Sequence, residues 1–130
     1  MGLIGLTKTL AMEGAKYGIK VNAIAPVAFT RMTADLFLPE LADRLGPEFV
    51  TPLVCYLAHE ECASSGQAYS VAGGRVARVF VAEGPGWVKQ AGLTAEDVRD
   101  AWEQINAEQS QIVPADVAEQ AAALFGALQG

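Results

Sequence analysis

The sequence is poor in the residues that build metal sites and disulfides. One histidine and two cysteines occur in 130 residues. Cys55 and Cys62 do not make a disulfide framework, and reduced thiols in a cytoplasm are the expectation. His59 lies between them, which invites a zinc reading. A zinc site takes four ligands, however, and a single histidine leaves the set short. No metal site is expected. The cysteines read as small apolar residues, Cys55 buried on a helix and Cys62 near its end. Charge is scarce as well, at 18%, and nine basic residues face fifteen acidic ones for a net charge of -6. Such a surface repels phosphate backbones and anionic headgroups, which argues against nucleic-acid and membrane-surface binding. No run reaches the roughly 18 apolar residues of a membrane span. Within Met1 to Leu10, Lys8 stands inside the apolar stretch rather than before it, unlike a secretory signal.

Apolar residues are plentiful, at 52%, in a chain of one domain's length. Leu3, Leu6 and Leu10 form a stripe, with Ile4 and Ala11 beside it. This predicts a helix over 2–16, ended near Gly18. Ile19 to Pro26 is short, β-branched and bounded by Gly18 and Pro26. It predicts a strand over about 19–25, and its near-continuous apolar character suits a parallel strand covered on both faces. Periodicity is weak from Pro26 to about Gly46. There Leu36, Leu38, Leu41 and Leu45 suggest short helical pieces, and residues 34–46 read as a mobile lid. Phe49, Leu53 and Leu57 make one row and Val50, Val54 and Ala58 the next, predicting a helix over 47–60. Pro52 fits either as the first helical residue after a Thr51 cap or within a bent first turn.

A second strand is expected over about 67–72, with Gly66 before it and Gly73-Gly74 after. Val76, Val79, Phe80 and Val81 extend or resume it. Gly84-Pro85-Gly86 is a turn or linker. Thr94 and Asp97 form a capping-box start for a helix whose apolar row is Val98, Ala101, Trp102 and Ile105. Trp102 reads as an anchor packed against the fold. Pro114 opens a last helix, with Val117, Ala121, Leu124, Phe125 and Leu128 on one side. The order is that of a βαβ unit covered by helices, its two strands adjacent and parallel. Two strands are few for a free-standing sheet, so the chain looks like the end of a larger one.

The run Gly5-Leu6-Thr7-Lys8-Thr9-Leu10-Ala11-Met12-Glu13, followed by Tyr17-Gly18-Ile19-Lys20-Val21-Asn22-Ala23-Ile24-Ala25-Pro26, resembles the short-chain dehydrogenase/reductase family after its catalytic motif. Ser65-Gly66-Gln67 leading to Val71-Ala72-Gly73-Gly74 is similar to that family's last strand. Arg31-Met32-Thr33 and Pro47 to Cys62 resemble one branch. That branch is the (3R)-hydroxyacyl-CoA dehydrogenase domain of the β-oxidation multifunctional enzyme and its bacterial relatives. The likeness covers about residues 2–105. It implies an α/β fold: the C-terminal part of a Rossmann-like parallel sheet with flanking helices and a helical C-terminal extension. Residues 1–82 would belong to the dinucleotide-binding domain and residues 83–130 to the extension.

The resemblance also implies a cofactor, NAD or NADP, whose nicotinamide half lies against the loop after the first strand. That position agrees with the general rule for open parallel sheets, where ligands lie at the strands' carboxyl ends. Pro26, Val27, Phe29, Thr30 and Thr33 are the implied contacts. Thr30 is the first candidate for a hydroxyl meeting the carboxamide or a phosphate oxygen, and Thr33 the second. The loop departs from the family pattern in two places: Val27 replaces the usual glycine, and Arg31 stands at the usual threonine position. The catalytic Tyr-x-x-x-Lys is missing, since Tyr17 and Lys20 are three apart, so no catalytic residue is assigned. By the resemblance, the family's lysine would stand just before Met1, and the glycine-rich phosphate turn would lie upstream. Asn22 matches a structural asparagine. The implied parent is an oxidoreductase acting on a 3-hydroxyacyl or 3-oxoacyl thioester, cytoplasmic and homo-oligomeric when full length, with this chain inactive alone. The rival reading is a non-catalytic interaction module that works through a partner subunit.

Overall fold

The computed structural model describes residues 1–115 and 117–129, with no side-chain description at 117 or 127–129. It comprises two units, Met1–Phe80 and Val81–Gly130.

The first unit opens with helix α1, Gly2–Gly14, which tightens into a 3-10 turn at Ala15–Tyr17. Gly18 ends it in the left-handed region at φ 71°, as the sequence suggested. The apolar stripe does not point inward. Thr7, Ala11 and Gly14 are the buried residues of α1, whereas Leu3, Leu6 and Leu10 are 74, 53 and 43% exposed. Small size is the reason. A Cβ on Gly14 would lie 3.0 Å from Ile19 Cβ, and one on Gly66 would lie 3.4 Å from Ala11 Cβ. The helix therefore approaches its neighbours along its smallest side chains. The buried Thr7 hydroxyl is satisfied by donating to Leu3 O at 2.7 Å.

Strand β1, Ala23–Pro26, pairs in parallel with β2, Ala68–Ala72, with Ala23 opposite Ala68 and Pro26 opposite Val71. Adjacent parallel strands were expected, but β1 begins four residues later than the predicted 19. The sheet is also not wholly parallel. The run after Gly73-Gly74 forms β3, Arg75–Val79, antiparallel to β2, and gives the order β1-β2-β3. Both turn glycines have positive φ, 53° and 81°. Two such residues make the tight hairpin turn whose twist matches paired strands. The crossover from β1 to β2 contains 3-10 turns at Pro39–Arg44 and Pro47–Phe49 and helix α2, Thr51–Ala58. Pro52 sits in the first turn of α2, where its missing N–H costs no intrahelical bond. Within α2 only Leu53 is buried. Cys55 is exposed, contrary to expectation, and Cys62 is the buried thiol at 0%. Cys62 and Val71 are the largest fully buried side chains among the described residues.

The second unit is helical. The capping box forms as read: the Thr94 hydroxyl accepts from Asp97 N–H, and the Asp97 carboxylate accepts from Thr94 N–H at 3.0 Å. The helix it starts is broken at Ala101 into α3, Ala95–Asp100, and α4, Trp102–Ile105. Ala101 is buried, but Trp102, expected to pack against the fold, is 59% exposed. Glu83 and Ile112 exchange backbone bonds of 2.9 Å in an antiparallel bridge. The last helix, α5, spans Val117–Gln129, three residues later than Pro114 suggested. Leu124 and Phe125 on it are exposed, and the side chains of Val117 and Leu128 lie outside the described part.

Candidate functional site

Parallel pairing puts the carboxyl ends of β1 and β2 side by side. Val27 N–H donates to Val71 O at 2.9 Å, which carries the pairing one residue past β1. Of the five implied contacts, Pro26 ends β1 and Val27 extends its pairing, and the chain then turns into the loop that holds Phe29, Thr30 and Thr33. Phe29 N–H donates to Leu45 O at 2.6 Å and ties the loop to the end of the Pro39–Arg44 turn. The β2–β3 hairpin reaches the same place: a Cβ on Gly73 would lie 2.8 Å from Arg44 O and 3.3 Å from a Leu45 methyl. The loop and the glycine turn thus meet at the Arg44–Leu45 backbone. Sequence reasoning missed Leu45 and Gly73 as parts of this end, because close approach to a distant carbonyl leaves no local signal.

Within the loop the two threonines are bonded to each other. Thr33 Oγ1 donates to Ala28 O at 2.7 Å and accepts Thr30 N–H at 2.8 Å. The two hydroxyls lie 3.2 Å apart, and Thr33 N–H donates to Thr30 O at 3.0 Å. Thr30 Oγ1 also accepts Met32 N–H at 3.3 Å. Thr30 is exposed, while Thr33 and Phe29 are half-buried and Pro26 and Val27 exposed. The structure brings all five together but gives them different tasks. Val27 and Phe29 spend their amides on Val71 and Leu45, Thr33 spends its hydroxyl inside the loop, and Thr30 faces solvent.

The opposite end of the strands is closed by polar side chains. Asn22 Nδ2 donates to Ser64 O at 2.8 Å, and Asn22 Oδ1 accepts from Ser64 Oγ at 3.0 Å and from Gln67 N–H at 3.3 Å. Ser64 Oγ, having given its hydrogen to Asn22, accepts from Tyr69 Oη at 2.7 Å. Lys20 Nζ donates to the carbonyls of Glu60 and Cys62. Asn22 is therefore structural, as read. Lys20 is engaged away from Tyr17, whose exposed ring lies under Lys16 at 4.8 Å.

Ile112, Val113, Pro114, Ala122 and Ala123 line a hollow beside Glu119, whose carboxylate accepts Ala115 N–H at 2.6 Å. Among the described residues no three His, Cys, Asp or Glu side chains gather as a metal site, and no helix is long and apolar enough to cross a membrane. Among the described residues one group has a clearly displaced pKa. The Lys89 ammonium, with the Thr94 hydroxyl and amide, lowers Asp97 from 3.8 to about 2. This group serves a helix cap in the second unit rather than the loop.

No family model matches the sequence. Individual proteins do. A Mycobacterium tuberculosis protein named as a short-chain type dehydrogenase/reductase is 48% identical over 105 residues, 81% of this chain and 37% of its own length. The peroxisomal multifunctional enzyme type 2 of Mus musculus is 39% identical over 108 residues, 81% of this chain and 15% of its own. The solved full-length peroxisomal multifunctional enzyme type 2 of Drosophila melanogaster superposes with a TM-score of 0.84 at 30% identity, covering 99% of this chain and 24% of that one. The chain thus spans little more than a third, or less, of the proteins it matches. A sheet with β1 and β2 parallel, flanking helices and relatives of one kind in both sequence and fold lead to one assignment: the chain belongs to the short-chain dehydrogenase/reductase family and matches part of that fold.

Proposed function

We propose that residues 1–82 are the C-terminal part of the dinucleotide-binding domain of an NAD(P)-dependent oxidoreductase, and that residues 83–130 are its helical extension. The intact enzyme acts on a 3-hydroxyacyl or 3-oxoacyl thioester, and the bound nicotinamide supplies the hydride chemistry. One observation carries the reading: the exposed Thr30 hydroxyl stands in the loop leaving the shared carboxyl ends of two parallel strands, the usual ligand position in such sheets. The residues present suit the nicotinamide half of a cofactor. Thr30 offers a hydrogen-bonding oxygen, and Val27, three residues before it, offers an apolar side chain 44% exposed. They do not suit the phosphates or the acid/base step. None of the three tyrosines, Tyr17, Tyr56 and Tyr69, has a lysine four residues on. An acid/base tyrosine needs that ammonium to lower its pKa.

The chain alone is therefore inactive in this reading. The full-length parent is a cytoplasmic homo-oligomer, and the outward leucines of α1 and the unpaired thiols favour that picture. The test compares residues 1–130 with a polypeptide extended by its in-frame upstream sequence, assayed for 3-hydroxyacyl-CoA oxidation with NAD and with NADP. Turnover only in the extended form, lost when the upstream tyrosine is changed to Phe, is the expected result. Equal turnover in both forms sinks the proposal. Turnover in neither, with capture of a partner subunit through the α1 face, favours the interaction-module reading.

A further inference from the structure

The hydrogen count on two hydroxyls decides what the loop offers a ligand. A threonine hydroxyl has one hydrogen and two lone pairs. Ala28 O, 2.7 Å from Thr33 Oγ1, can only accept, so it takes the Thr33 hydrogen. Thr30 O competes for that hydrogen from 3.3 Å, too far to prevail. Thr30 N–H, at 2.8 Å, can only donate and fills one Thr33 lone pair. What Thr33 has left for Thr30 Oγ1, at 3.2 Å, is its second lone pair. Thr30 must therefore be the donor in that contact, and its hydrogen points into the loop. One Thr30 lone pair receives Met32 N–H at 3.3 Å. The other is left toward solvent.

We infer that Thr33 is a positioning residue, a latch that turns the Thr30 hydrogen inward and leaves Thr30 an acceptor on the open side of the loop. The inference rests on the reading of this loop as the nicotinamide-side loop and sharpens it. An acceptor suits a ligand donor such as the primary amide N–H of a carboxamide. It does not suit a phosphate oxygen, which has no hydrogen to give and would have to pull the Thr30 hydrogen off Thr33. The Val27 and Phe29 N–H groups, donors that a phosphate oxygen could otherwise meet here, are committed to Val71 O and Leu45 O.

Two measurements test it. The first uses residues 1–130 and needs no cofactor: amide hydrogen exchange at Thr30 in Thr33→Val and Thr33→Ser. Loss of one hydrogen bond predicts exchange about tenfold faster in the valine variant and near the starting rate in the serine variant. The Val27 amide, bonded to Val71 O, should be unmoved in both and reports that the fold is intact. Unchanged Thr30 exchange in Thr33→Val overturns the latch, whatever the loop binds. The second uses the extended polypeptide and compares affinity for its dinucleotide with affinity for the 3-acetylpyridine analogue, in which a methyl replaces the amide nitrogen. Thr33→Val should weaken the natural dinucleotide about five- to tenfold and the analogue hardly at all, with Thr33→Ser restoring affinity for the natural dinucleotide. Equal weakening of both overturns the acceptor assignment. Faster Thr30 exchange with both affinities unmoved overturns the cofactor reading of the loop and leaves the latch standing.

Discussion

The two ends of the β1–β2 pair are built from similar residues to opposite effect. At the amino end, Asn22, Ser64, Gln67 and Tyr69 join segments more than 40 residues apart, and each polar group in the knot meets another. At the carboxyl end, Thr30 and Thr33 bond only within their own loop, and Thr30 keeps a side toward solvent. A half-buried amide whose partners are distant backbone groups stabilises a fold, because removing it strands those groups. A hydroxyl held by near neighbours stabilises little, and it can present a defined atom to a ligand. The difference separates a fastening from the loop proposed as a binding surface without reference to residue type.

Asn22→Ala attacks the fastening and should have the largest effect. It leaves Ser64 O and Gln67 N–H without their side-chain partner, costing about 2 kcal/mol. Thermal circular dichroism should show a midpoint lower by roughly 10 °C for a unit of this size. An unchanged midpoint would erase the contrast between the two ends. Gly73→Ala acts at the other end. It forces a residue with a side chain to φ 53° and drives its Cβ against Arg44 O, at about 1.5 kcal/mol. Exchange of the Phe29 amide, bonded to Leu45 O, should quicken while that of the Gly66 amide, bonded to Val21 O, holds. Quickening at both would show that the ends are not independent.

Thr94→Ala sharpens the comparison with a purely local cap. It should cost about 1 kcal/mol and loosen α3, seen as faster exchange of the Asp97 amide, with the Val27 amide unmoved. The smallest effect is that of acid on the same cap. The folded pKa of Asp97 is depressed from 3.8 to about 2, so its contribution is whole above about 4 and is lost as pH falls from about 4 to about 2. NMR titration should find the Asp97 carboxyl midpoint well below 3.8 and α3 amides loosening in that window. Lys89→Met should raise that midpoint, since the ammonium is the main cause of the shift. A midpoint near 3.8 in the unaltered chain would show the ion pair to be idle in solution.

Much of the fold was legible because its signals are local. Gly18 after an apolar helix, Thr94 with Asp97 three residues on, and a β-branched run between Gly18 and Pro26 each act over a few residues. The candidate loop was legible too, though only through an ordered set of short motifs and the rule that ligands gather where parallel strands end. The antiparallel β3 and the break at Ala101 escaped the sequence reading, and the remaining misreadings concern burial. Cys55 and Cys62 are equally apolar, yet only Cys62 is covered. Trp102 keeps helical spacing with its neighbours, yet stands mostly in solvent within its unit.

The sequence by itself determined that the first helical stretch ends at Gly18, that a helix starts after Thr94 and that two strands run parallel, since capping, turn geometry and strand propensity are decided by neighbours along the chain. The tertiary structure decided which side of each element is inside. Helix α1 turns in Thr7, Ala11 and Gly14 and leaves its leucines out, because close approach to Ile19 and Gly66 demands small side chains more than apolar ones. It also decided that Thr33 spends its hydroxyl within the loop while Thr30 faces outward. That distinction depends on which carbonyls and amides the folded backbone brings within hydrogen-bond reach, and spacing along a chain does not contain it.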